Sequence, residues 1–292
     1  MTSVPAFPAT RKISMDDKPA FDEYFRKYPP QISELTFANF YIWKDCDRSE
    51  ITLVNGNICV LARPNNEAPY FFEPLGEQAI DATISICSKY VPRFSRISES
   101  FTKKHFEGRQ EFKIEIDRDH SDYVYLKGDL AELKGKKYDG KRNKIKKFLK
   151  NNASTYKKLA SQDIEQCRKL LEKWGRGKNK SNGVCFNEPI EEALSNFEKL
   201  GLMGAVVDIG GSVQAFTIGQ KLNNDTAIVY IEVANPDIDG ISQYINQQFC
   251  REWDDCKCIN REEDMGDAGL RKAKISYHPF KMINKYSIAR VD

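Results

Sequence analysis

The sequence predicts an α+β chain of two tandem domains, each a mixed sheet flanked by helices. Three observations predict it. The chain has 292 residues, which at roughly 150 residues per domain suggests two. Segments with helical period and segments with strand period alternate along it. The order of those segments in the first half recurs in the second. With 40% apolar and 11% aromatic residues, the chain can fill real cores, which excludes global disorder. No apolar run approaches the roughly 18 residues of a membrane span. The N-terminal segment MTSVPAFPATRKISMDD has no apolar signal region, so a cytoplasmic chain is expected.

Asp16 and Asp17 open a first helix, with Phe21, Tyr24, Phe25 and Tyr28 on one face and Pro29-Pro30 as its stop. Residues 34–43 are aromatic-rich and predict a second helix. Two β-rich runs, 51–54 and 57–61, flank Asn55-Gly56, the signature of a tight hairpin whose central residues need positive φ. A strand at 70–72, a helix at 77–89 and strands at 93–97 and 112–116 follow. In the second half a helix opens at 161–163, with Cys167, Leu170, Leu171 and Trp174 offset by a constant 146 positions from the apolar face of the first. A helix at 191–199 comes next, then a hairpin over 205–220 around Gly210-Gly211. Further on are a strand at 226–233, a helix at 241–253 with Ile241, Tyr244, Ile245, Phe249 and Trp253 inward, a strand at 257–260, a helix at 269–277 and a last strand at 285–291. The repeated order predicts a duplication.

Eight cysteines and three scattered histidines show no metal-ligand spacing. The cysteines are expected to be buried free thiols. Charge is distributed unevenly. Residues 134–158 carry eleven Lys/Arg and one acid, so the rest of a chain of net charge +3 is net −7. Within this stretch 141–150 reads as a basic helix with Ile145, Phe148 and Leu149 as an apolar seam. Lys141, Arg142, Lys146, Lys147 and Lys150 are candidate ligands for a polyanion. Like charges at i, i+4 oppose helix formation, which is compatible with a phosphate backbone or an anionic membrane surface as partner, or with a solvated interdomain helix.

Three segments carry a family resemblance: 125–148 (Tyr125, Gly128, Leu133, Tyr138, Lys141, Lys144, Phe148), 259–279 (Ile259, Gly266, Gly269, Lys274, Tyr277, Pro279) and 34–43 (Glu34 to Trp43). Together they resemble the bacterial proteins related to the C-terminal domain of phosphatidylglycerol lysyltransferase. The resemblance implies two tandem GNAT-like (acyl-CoA N-acyltransferase) domains, at 1–134 and 153–292, joined by the basic helix 135–152. It also implies an acyltransferase, with aminoacyl-tRNA as the favoured donor and an amine or hydroxyl acceptor on a lipid headgroup or small molecule. Two alternatives stand beside it: an acetyl-CoA-dependent N-acetyltransferase, and a non-catalytic module that binds tRNA or anionic lipid.

In this fold the acyl donor lies between two parting strands, which the resemblance places at 226–233 and 257–260. Strand alternation sets Ile228, Tyr230 and Glu232 on one face and Ala227, Val229, Ile231 and Val233 on a wholly apolar one. Glu232 is the candidate general base and Tyr230 the group that protonates or orients the leaving group; an exposed strand face would carry the same residues. Asn260, Glu262, Arg271, Lys274 and Tyr277 are candidate substrate-binding residues. Acids before a helix and a solvated basic pair explain several of them equally well. The turn that would hold the coenzyme A pyrophosphate reads Ala234-Asn-Pro-Asp237-Ile-Asp239-Gly240. One glycine and two aspartates suit an anion poorly, and residues 73–77 in the first half are no better. No metal is expected.

Overall fold

The computed structural model describes residues 4–176 and 187–291. It divides into two compact units. Unit 1 holds the chain up to Asp122, then Glu263–Asp267 and the residues from Met282 onward; unit 2 holds 123–262 and Ala268–Lys281. These units differ from the contiguous spans 1–134 and 153–292.

In chain order the elements are β1 (Arg11–Lys12), α1 (Lys18–Lys27), α2 (Phe37–Trp43), β2 (Glu50–Val54), β3 (Asn57–Ala62), β4 (Tyr70–Phe71), α3 (Ile80–Tyr90), β5 (Arg93–Ser98), α4 (Glu99–His105) and β6 (Phe112–Leu126). There follow α5 (Lys127–Glu132), α6 (Asp139–Asn151), β7 (Ser154–Lys158), α7 (Ile164–Arg176), α8 (Asn187–Ser195), α9 (Phe197–Leu200), β8 (Met203–Ile209), β9 (Ser212–Lys221), β10 (Thr226–Ala234), α10 (Ile241–Arg251), β11 (Cys258–Asn260), α11 (Ala268–Ile275) and β12 (Lys281–Arg290).

Unit 1 has strand order β1-β2-β3-β4-β5-β12-β6. The β2–β3 hairpin turns where expected, with φ of 51° at Asn55 and 80° at Gly56. β4 and β5 are parallel and meet at Phe71 and Phe94. β12 closes on β5 antiparallel, with Lys285 opposite Ser98. Phe71, Ile84, Cys87, Phe94, Ile97 and Phe106 form the core under α3 and are all fully buried. The helix start at Asp16-Asp17 is a three-residue 3-10 turn before α1, tied by the Ser14 N–H donating to Asp17 Oδ2 at 2.8 Å.

Unit 2 has strand order β6-β11-β10-β9-β8-β7, where β6 supplies its last four residues. β10 and β11 are its parallel pair, and β6 closes on β11 antiparallel, with Tyr125 opposite Ile259. Each unit is therefore a GNAT-like mixed sheet flanked by helices. The sheet of each unit is finished by a strand from the other half of the sequence. This is why the compact units are discontinuous.

The basic helix forms, but its seam is narrower than expected. Ile145 and Phe148 are buried, whereas Leu149 is 48% exposed. Phe148 stacks on Tyr244 of α10 at 5.1 Å and joins Val207, Ala215, Ile241 and Ile245 in a core cluster. Burying one such ring contributes about 1.5–3 kcal/mol. Gly240, at φ 88°, caps α10 where a Cβ would lie 2.3 Å from the Lys144 carbonyl oxygen. Only glycine fits there. Strand β7, helices α4 and α5, and the length of β6 had no clear pattern in the sequence. The expected helix at 191–199 is two helices that break at Asn196.

Of the cysteines, Cys59, Cys87, Cys167, Cys250 and Cys256 are buried free thiols and Cys258 is a half-buried one. Cys46 departs from that expectation and is disulfide-bonded. Cys185 and the Trp174 side chain lie outside the described residues. Among the described residues no group of side chains has metal-ligand geometry, and no helix is long and apolar enough to cross a membrane.

Candidate functional site

β11 stays in register with β10 only through Thr226–Cys258, Ala227–Ile259 and Ile228–Asn260. β10 then continues to Ala234 on β9. The chain leaves β11 because the Asn260 side chain makes a turn: its Oδ1 accepts the Glu262 N–H at 2.8 Å, and Glu262 takes φ 56°. Arg261, the residue between them, reaches β10 at Glu232.

The expected inward and outward faces of β10 are present from Val229 onward. Val229, Ile231 and Val233 are buried, whereas Tyr230 and Glu232 are half-buried. A bulge between Val229 and Ile231 resets the register there. Glu232 is not a lone carboxylate. Arg261 Nη2 lies 3.2 Å from its Oε2, and the Asn246 Nδ2 of α10 donates to the same oxygen at 3.1 Å. The guanidinium of Arg261 lies 4.9 Å over the Tyr277 ring and 5.9 Å from that of Tyr125. Lys141 Nζ lies 4.0 Å from the centre of the Tyr277 ring and donates to Ser276 Oγ at 2.7 Å. Burial lowers the pKa of Lys141, and the cations Arg261 and Lys144 add to this against the pull of Glu232. Burial raises both the Tyr277 and Tyr125 phenols. The result is a cationic, aromatic-lined site with one carboxylate.

The predicted substrate-binding residues divide. Tyr277 is in the site. Asn260 is fully buried and shapes the turn, and Lys274 is buried with its ammonium on the Arg261 carbonyl oxygen. Lys274 therefore does not form an exposed anion-binding pair with half-buried Arg271, because the α11 face that carries it turns inward. Half-buried Glu262 serves the same turn as Asn260.

The polyanion candidates also divide. Lys146 and Lys150 are exposed. Lys147 and its neighbour Lys144 lie 3.4 and 3.2 Å from Asp239. Arg142 is committed to the Leu133 and Gly135 carbonyls and to Asp139. Lys141 points into the site. The three-residue ladder Arg142–Lys146–Lys150 is therefore two exposed cations and one that ties the helix to the end of α5.

Unit 1 buries a second charged cluster that sequence reasoning missed. Lys285 is wholly buried, with its Nζ 2.6 Å from Glu34, 2.7 Å from Asp122, 3.4 Å from Glu263 and 2.9 Å from Ser33 Oγ. Burial pushes Glu34 up to about 7; Lys285 opposes this and the two other acids reinforce it. Nearby, Arg96 holds φ 56°, donates to Tyr70 Oη and to Glu67 Oε1 at 3.0 Å, and meets His120 Nε2 at 3.2 Å. His120 Nδ1 is 2.9 Å from Asp117. Glu34 and Glu263 belong to two of the segments that carried the resemblance. Asp122 and Lys285 had no local signal.

The solved structure of a conserved protein of unknown function from Bacteroides thetaiotaomicron VPI-5482 is 26% identical to this chain. It matches at a TM-score of 0.86 over 97% of this chain and 99% of its own. L-PGS from Bacillus licheniformis matches at 14% identity and TM-score 0.64, over 99% of this chain and 94% of its own. FemX matches at 9% identity and TM-score 0.57, over 97% of each chain. The last two share the fold. Among curated protein sequences none matches. The family model for the C-terminal part of phosphatidylglycerol lysyltransferase matches residues 25–289, and the chain belongs to that family.

Proposed function

We propose that the chain transfers an aminoacyl group, with aminoacyl-tRNA as donor and a hydroxyl or amine as acceptor, at the unit 2 site. The observation that carries this is the constellation Arg261–Glu232–Tyr277–Lys141 at the point where the parallel strands part. Family membership supports the reaction class, because the family's name specifies a lysyl group and phosphatidylglycerol. The turn 234–240 supports a donor other than coenzyme A. Its helix N-terminus packs on the Lys144 backbone, and Asp237 and Asp239 are held by Lys173, Lys144 and Lys147. The residues present, with two aspartates at the turn, do not fit a pyrophosphate. Exposed Lys146 and Lys150 support contact with the phosphates of a tRNA, and the same cations would also suit an anionic lipid surface.

In the reaction the acceptor oxygen or nitrogen forms a bond to the ester carbonyl carbon. Its proton passes to the Glu232 oxygen that Arg261 and Asn246 leave unused. The carbon–oxygen bond to the donor then breaks, and the departing oxygen keeps the electron pair and takes that proton. Tyr230, half-buried on the Glu232 side of the strand, is the group proposed to orient the leaving oxygen. The recurrence of helix, hairpin, strand, helix and parallel strand in both units supports descent from a duplicated domain.

The test supplies the purified chain with tRNA charged with radiolabelled amino acids, one at a time. Phosphatidylglycerol vesicles and water-soluble amines serve as acceptors. Label in the lipid or amine fraction is expected. Label from acetyl-coenzyme A and from no aminoacyl-tRNA would promote the acetyltransferase. Binding of tRNA with no transfer at all would leave the non-catalytic module.

A further inference from the structure

Arg261 Nη1 and Asn246 Oδ1 are shielded from solvent and have no hydrogen-bond partner among the described residues. Their positions are related. Both side chains use their other terminal atom on Glu232 Oε2, at 3.2 and 3.1 Å. One carboxylate oxygen is thus fixed between a guanidinium and an amide, and each has its second polar atom left over. The second oxygen of Glu232 takes no protein hydrogen bond among the described residues. Folded proteins rarely leave such atoms unpaired, least of all on a charged group. Glu232 and Arg261 keep 19% and 14% side-chain exposure, so both border solvent.

The spare atoms are one cationic donor and two acceptors, on three side chains that meet at Glu232 Oε2. An acyl-transfer transition state has the complementary pattern. Negative charge develops on the carbonyl oxygen, and the nucleophile still carries a hydrogen to give away. The surrounding charge agrees. Arg261 and Lys141 outnumber the single carboxylate, which favours an oxyanion.

We infer that Arg261 Nη1 bears the oxyanion of the tetrahedral intermediate and that Asn246 Oδ1 accepts one N–H of an amine acceptor while another N–H faces the free oxygen of Glu232. This deepens the transfer reading above and rests on it. As the bond to the acceptor forms, the carbonyl π pair moves to oxygen and is held by Arg261. The acceptor's proton goes to Glu232. When the carbonyl re-forms, the bond to the leaving oxygen breaks, and that oxygen receives the proton. Arg261 touches the reacting atoms and is catalytic. Asn246 orients the nucleophile.

The test uses alanine p-nitrophenyl ester, an activated surrogate that needs no tRNA, with hydroxylamine as acceptor. Arg261→Lys keeps a cation beside Glu232 but removes the spare nitrogen. It is expected to lower kcat about 10²-fold with KM nearly unchanged. Asn246→Ala is expected to raise the KM for hydroxylamine while the ester KM holds. Circular dichroism melting of each variant checks folding. A phosphonate analogue of the ester, titrated calorimetrically, is expected to bind Arg261→Lys about tenfold more weakly than the parent. Unchanged kcat and unchanged phosphonate affinity in Arg261→Lys overturn the inference, as does an ester turnover by the parent no faster than in buffer. Surrogate turnover that depends on Arg261, without transfer from any aminoacyl-tRNA, keeps the oxyanion site and overturns the donor reading. Transfer from aminoacyl-tRNA that Arg261→Lys leaves intact does the reverse.

Discussion

Arg261 lies 3.2 Å from Glu232 and stacks on Tyr277, so the guanidinium is held on one side by charge and on the other by an aromatic face. Removing one member of such a pair leaves an uncompensated, mostly buried charge. Glu232→Gln and Arg261→Met are each expected to destabilise the chain, and their double-mutant cycle in denaturant unfolding to give a coupling of about 1–3 kcal/mol. A coupling near zero would mean that the pair is held by its neighbours. With a substrate in hand, Glu232→Gln should also slow transfer by about 10²–10⁴ with little change in binding, since it accepts no proton.

Lys146 and Lys150 of α6 are exposed and make no ion pair among the described residues, whereas the equally exposed Lys147, and Arg142, have partners. If tRNA lies along this helix, replacing Lys146 and Lys150 with Gln should reduce the log–log salt slope of binding by roughly 2. Lys147→Gln should change it less. Filter-binding titrations over a range of salt decide this, and a slope that the double variant leaves unaltered removes α6 from the interface.

Calorimetry with acetyl-coenzyme A is expected to show no micromolar binding, because α6 occupies the approach to the turn before α10. Gly240→Ala should destabilise by about 1–3 kcal/mol, combining a positive φ with a contact of 2.3 Å to Lys144. Tight coenzyme A binding would overturn the assignment of the turn.

Glu73 is buried and accepts from the Ser98 N–H and Oγ at 2.8 and 2.7 Å. Burial pushes it up to about 7 against the pull of those bonds. Because its folded value lies above its unfolded value of 4.5, the folded state binds the extra proton. Its contribution is therefore fully present below about pH 4.5 and is lost as pH rises through about 7. Glu34 and Asp47 are also raised, to about 7 and 6, so the difference against Glu73→Gln isolates one group. That variant should be more stable than the parent at pH 8, by up to about 3 kcal/mol, and equal to it near pH 4. Chemical denaturation at the two pH values measures it; an identical difference at both would exclude the titration.

The sequence by itself determined the elements whose signals are local. Asn55-Gly56 specifies its hairpin because the turn needs positive φ. The 3.6-residue period of 241–253 sets the buried face of α10. The mostly aliphatic stretch from Ala227 to Val233, interrupted only by Tyr230 and Glu232, makes a central strand. It also marked Glu232 and Tyr277, since a carboxylate on an otherwise apolar strand stands out. Only the tertiary structure decided what Glu232 meets. Arg261 and Asn246 come from a turn and from a helix, and no spacing rule connects them to β10. The same holds for Lys285 and Glu34, 251 positions apart, and for the exchange of β6 and β12 between the halves. Strand partners and buried ion pairs are settled by long-range packing, where each carboxylate must find its cation within a few ångströms or remain protonated. Periodicity describes only a residue's relation to its own helix or strand.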